Sequence, residues 1–66
     1  MKIWVNGVMK EFQDRLTVSG LLTQLRIQSG RVAVELNLEI LERLDYGKTE
    51  LKDGDKLEIV SFVGGG

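Results

Sequence analysis

The chain closes with Ser61-Phe62-Val63-Gly64-Gly65-Gly66, and this ending breaks the packing logic of everything before it. Glycine has no side chain to bury, and ordering each one costs about 1–2 kcal/mol of backbone entropy. A small domain gains nothing structural from three of them after its last strand. Two readings compete. One is a frayed terminus or a linker remnant. The other is a flexible arm, Gly64, Gly65 and Gly66, that carries the terminal carboxylate into a narrow site on another protein. Lacking Cβ atoms, such an arm can thread a slot closed to other residues. Fully extended, the four positions 63–66 reach roughly 13–14 Å beyond the sheet.

No other set of residues competes as a chemical centre. The sequence has no Cys and no His, which removes disulfides, thiol nucleophiles, imidazole bases and Cys/His zinc sites. Asp53, Asp55 and Glu58 lie close together but lack the twelve-residue ligand spacing of a calcium loop, so a solvated turn is the better reading. Glu39, Glu42, Asp45 and Glu50 offer no paired-carboxylate geometry that spacing supports. Tyr46 reads as a core or rim residue rather than a catalytic phenol. No metal ligands and no catalytic residues are assigned. A chain of 66 residues makes one domain without room for a deep pocket, so it reads as a protein that enzymes act upon.

Charge narrows the partners. Nine basic residues are scattered among ten acidic ones for a net charge of −1, without the basic stripe that a nucleic-acid binder uses to release phosphate counterions. No apolar run approaches the ~20 residues that cross a bilayer. The opening Met1-Lys2-Ile3-Trp4-Val5-Asn6-Gly7 has no signal-peptide apolar region. The expectation is a cytoplasmic protein that contacts neither nucleic acid nor membrane.

The elements that must hold the tail follow from periodicity. Lys2 to Val5 and Val8 to Phe12 flank Asn6-Gly7, a strong signal for a hairpin with a type I′ turn. Met1, Ile3, Val5, Val8 and Phe12 then share one face, with Lys10 a misfit on it; Lys2, Trp4, Met9 and Glu11 share the other. Thr17 is the expected N-cap of a helix of about nine or ten residues, with Val18, Leu21, Leu22 and Leu25 on one stripe. Gly20 weakens that helix by up to ~1 kcal/mol relative to Ala, and Ser29-Gly30 is the expected stop. Val32, Val34 and Leu36 alternate as a strand. Asn37-Leu38 forms a turn, a short strand runs from Glu39 to Glu42, and an irregular stretch continues through Tyr46 and Gly47. After a turn at Lys52-Asp53-Gly54-Asp55, a last strand runs from Lys56 to Phe62, parallel to the first. Leu57 and Ile59 should face the helix. Val60 and Phe62 should then share the open face with Trp4 and Met9, with Ala33 a candidate to join them. With Val63, these four form an apolar patch suited to docking beside the arm. A slip of one residue at a bulge would turn them into core instead.

In this order, Asn6-Gly7, Thr17-Val18, Val32-Ala33-Val34-Glu35-Leu36-Asn37, Leu51-Lys52-Asp53-Gly54-Asp55 and the closing Leu57 to Gly66 resemble a ThiS-like sulfur carrier of the ubiquitin-like β-grasp superfamily. The likeness runs the whole length of the chain. It departs at Leu38, where a Gly is expected, at Ile40 to Tyr46, which lacks a common Pro, and at Gly20, where an acid is frequent. The resemblance implies an α+β fold, a mixed sheet of four to five strands on one helix, as a single domain over 1–63 with a glycine tail at 64–66. It implies that a ThiF-like activating enzyme adenylates the carboxylate of Gly66. A sulfur donor protein then displaces AMP to leave a thiocarboxylate, which passes its sulfur to a ThiG-like thiazole synthase in thiamin biosynthesis. A terminal carboxylate is ionised at neutral pH and inert as an acyl group until such activation. The chain itself would bind no cofactor, ATP and magnesium belonging to the activating partner. Two other outcomes stay open: a MoaD-like small subunit of molybdopterin synthase, and a ubiquitin-like protein modifier.

Overall fold

The computed structural model describes residues 1–62; Val63, Gly64, Gly65 and Gly66 lie outside the described residues. Its elements are β1 (Lys2–Val5), β2 (Val8–Glu11), α1 (Val18–Gln24), β3 (Val32–Leu36), β4 (Glu39–Leu41) and β5 (Lys56–Ser61), with short 3-10 turns at Ser29–Arg31 and Arg43–Asp45. The strands form one sheet in the order β2-β1-β5-β3-β4. β1 and β5 are parallel, and the other neighbours are antiparallel. The last strand is therefore the centre of the sheet, and the chain runs on from it into the tail.

The hairpin has the predicted register, Val5 opposite Val8 and Trp4 opposite Met9. Asn6 and Gly7 both take positive φ, 50° and 83°, as a type I′ turn requires. Asn6 does more than turn the chain. Its amide accepts from the backbone N–H of Ile59 at 2.6 Å and donates to the Ile59 carbonyl at 3.1 Å. In this way a side chain extends the β1–β5 ladder by one step. Asn37 repeats the device on the other flank: its side-chain oxygen accepts from Lys56 N at 3.0 Å, and its amide donates to Asp55 Oδ1 at 3.0 Å. Asn37 and Leu38 sit at φ 52° and 74°, so an exposed Leu holds a left-handed position where Gly would cost less.

α1 is shorter than expected, seven residues. The cause lies at its C-terminus. Arg26 N donates to Thr23 O and Ile27 N to Leu22 O, the paired bonds of a Schellman motif. Arg26 supplies the left-handed residue at φ 59°, and Ile27 tucks back against the core. The helix thus ends well before Ser29-Gly30, which belongs to the following 3-10 turn. At the other end Thr17 Oγ1 accepts from Gly20 N at 3.0 Å. Thr49 O and Tyr46 O take the free N–H groups of Val18 and Ser19, so the irregular stretch after β4 caps the helix. Gly20 has a packing role: a Cβ there would stand 2.7 Å from Leu16 Cδ1.

Ile3, Val5, Val32, Val34 and Leu57 from the sheet meet Leu16, Val18, Leu21, Leu22, Tyr46 and Leu51 in the core. Ile59 packs at its margin. Val8 does not join them. It is 57% exposed, because β2 is an edge strand that overhangs the helix, and all four of its residues face solvent. The same overhang leaves Lys10, opposite Ile3, free of any burial conflict. β4 and β5 each end one residue earlier than read, at Leu41 and Ser61.

Candidate functional site

The helix covers one side of the sheet, and alternation along each strand decides what the other side shows. On β1, Ile3 and Val5 are buried while Trp4 is 42% exposed; on β5, Leu57 is buried while Val60 is 59% and Phe62 57% exposed. The parity expected from the sequence holds, with no bulge to reverse it. Ala33 lies directly opposite Val60, so it too belongs to the open face.

These residues share a face without forming one cluster. Trp4 and Met9 are cross-strand partners at the β1–β2 edge, and Trp4 is level with Lys56 on β5. Val60 lies four residues farther along β5, roughly 13 Å at strand rise. Lys56 and Glu58 intervene. Beside Trp4 an open cleft of about 340 Å³ is lined by Gly7, Lys56, Leu57 and Glu58. Val60, Ala33 and Phe62 make the second cluster, at the end of β5 from which the chain continues to residues 63–66. Phe62 N donates to Arg31 O at 2.9 Å, which fixes the point of departure on the end of β3. Val63, placed in the same patch from the sequence, lies with Gly64, Gly65 and Gly66 outside the described residues.

The carboxylates considered as metal ligands have other work. Asp53 Oδ1 accepts from Lys2 N at 2.6 Å and Asp55 Oδ2 from Lys52 N at 2.8 Å. Asp53 ties the turn before β5 to the start of β1, and Asp55 closes the turn on itself. Tyr46 is buried, its hydroxyl 3.5 Å from Val32 O. Three exposed aliphatics escaped the sequence reading: Leu38, Ile40 and Leu44, at 90%, 80% and 85% exposure. Ile40 pairs with Glu35 and so extends the open face toward the β4 edge. The signal for it was available, since Leu41 opposite Val34 sets the parity of β4.

Known proteins agree with this geometry. The model of the ThiS family matches residues 3–66. The sulfur carrier protein ThiS of Bacillus subtilis is 43% identical over 54 residues, 82% of each chain. The crystal structure of a thiamine biosynthesis protein, ThiS, from Geobacter metallireducens superposes with a TM-score of 0.86 at 42% identity, each chain wholly covered. The thiazole synthase of Paramagnetospirillum magneticum is 48% identical over all 66 residues of this chain. The chain spans only a fifth of the length of that protein and of a second thiazole synthase, from Magnetococcus marinus, that it matches. The five-stranded mixed sheet on one helix is the β-grasp fold, and the chain belongs to the ThiS family.

Proposed function

We propose that the chain is a sulfur carrier for thiazole formation, and that its reactive group is the carboxylate of Gly66. The observation that supports this most is the placement of β5. The strand that leads to the glycines lies between β1 and β3, with its inner face in the core and its outer face exposed. A handle built this way is rigid up to Phe62, and the glycines beyond it suit entry into a partner's slot.

A Gly66 carboxylate oxygen attacks the α-phosphorus of ATP in a ThiF-like enzyme, a P–O bond breaks, and pyrophosphate leaves. A sulfur donor protein supplies a sulfide-level nucleophile that attacks the acyl carbon; AMP leaves, and the carrier ends in a thiocarboxylate. The sulfur then passes to a thiazole synthase, a partner favoured because two proteins of that name contain a segment matching this whole chain. ATP and magnesium act in the activating enzyme, so the carrier is a cosubstrate and needs no cofactor of its own. This scheme places it in the cytoplasm with those enzymes. Val60, Phe62 and Val63 would meet the partner at the mouth of the slot, and Trp4 and Met9 would anchor a second contact.

The test is pyrophosphate release from ATP by a purified ThiF-like enzyme. Adding this chain should stimulate release, and deleting Gly66 should abolish the stimulation. Equal stimulation by the shortened chain would overturn the assignment of Gly66.

A further inference from the structure

Where the chain leaves the sheet, two arginines line a cleft. An open cleft of about 560 Å³ there is lined by Arg26, Ile27, Gln28, Arg31, Val32, Ser61 and Phe62. Arg43 approaches from the next segment, its guanidinium 3.5 Å from the carbonyl of Gly30, the residue before Arg31. No acidic residue occurs between Asp14 and Glu35. Among the described residues the only ion pair joins the Met1 amine to Asp14, so none of these three arginines is neutralised by a carboxylate there.

Arg26 carries a conformational cost as the residue that stops α1. It is the left-handed residue of the Schellman motif, at φ 59°, a position where Gly is the usual choice and an L side chain costs about 1 kcal/mol. The side chain is exposed, so the motif leaves its guanidinium at the surface beside the cleft.

We propose that Arg26 and Arg31, with Arg43 beside them, receive a carboxylate-bearing segment at the slot mouth of the adenylating partner; this rests on the carrier reading above. The electrostatics of the encounter favour that partner. An ionised tail end approaching a bound triphosphate meets like charge, and arginines at the tail's root supply the opposing attraction through an acidic rim. Carboxylates fit the site better than the nucleotide itself. Four residues can span up to roughly 13–14 Å when extended, a length that would carry the nucleotide chemistry away from arginines beside Phe62. The planar guanidinium forks match carboxylates and phosphates alike, so reach rather than fork shape separates the two.

The experiment measures association of the full chain with a purified ThiF-type enzyme as salt is varied. Arg26→Glu combined with Arg31→Glu should slow association about tenfold or more at low salt, with the difference closing at high salt. Arg26→Gly should raise the thermal midpoint by a few degrees while slowing association, because it relieves the backbone and removes the charge. ATP alone should not bind the wild-type chain. The proposal fails if the double variant keeps the wild-type on-rate and salt dependence while Phe62→Asp still weakens the complex. It also fails if ATP alone binds the wild-type chain and not the double variant, which would make the cleft a nucleotide site. A wild-type chain that does not associate with the enzyme at all would bring down the carrier reading itself.

Discussion

At the scale of single residues, two asparagines hold the central strand in place. Asn6 was legible as half of a turn signal, but its two bonds to Ile59 were not. They depend on a partner 53 residues away, and local pattern carries no information on that pairing. Asn6→Ala removes both bonds and leaves a Cβ residue at positive φ without compensation. It should cost about 2 kcal/mol, a fall in thermal midpoint of roughly 8–16 °C for a domain of this size. Leu38 shows the reverse case. The sequence marks it as an odd residue for its turn, and the structure explains the oddity as a φ of 74° at a side chain 90% exposed. Leu38→Gly should raise stability by about 0.5–1 kcal/mol in chemical denaturation, because the relief of the left-handed strain exceeds the added freedom of the unfolded chain.

At the scale of elements, β5 divides its labour by parity. Leu57 faces the helix and is 1% exposed, whereas Phe62 continues the opposite face at 57%. Leu57→Ala should therefore cost about 2–5 kcal/mol, enough to unfold much of so small a domain. Phe62→Asp should change stability by less than about 0.5 kcal/mol and weaken capture by an activating enzyme. Denaturation curves paired with a binding isotherm separate the two. Strong destabilisation by Phe62→Asp would place that ring in the core after all. The same alternation made β1, β3 and β5 readable in advance, and it misled only at Val8, where an edge strand runs past the helix that would have covered it. α1 was read too long for a different reason. An Arg in place of Gly at the left-handed position after the helix conceals the stop signal, and Gly20 looked like a weakness where Leu16 Cδ1 leaves no room for a Cβ.

At the scale of the whole molecule, the proposed function assigns stability to the folded body and reactivity to the Gly66 carboxylate. Within the order β2-β1-β5-β3-β4, the β1–β2 hairpin and the parallel last strand beside β1 were legible, whereas the pairing of β3 with β5 was not. The irregular stretch from Arg43 to Glu50 could not be read, because its order comes from capping the first turn of α1 through Tyr46 O and Thr49 O. Deleting residues 64–66 should leave the unfolding transition unchanged and abolish activation. The most direct test of the central claim is the intact mass of the chain after incubation with a ThiF-like enzyme, ATP and a sulfur donor. The account predicts the gain expected for one oxygen exchanged for sulfur, localised by fragmentation to Gly66. An unchanged mass, or high-mass conjugates joined through lysine, would contradict it.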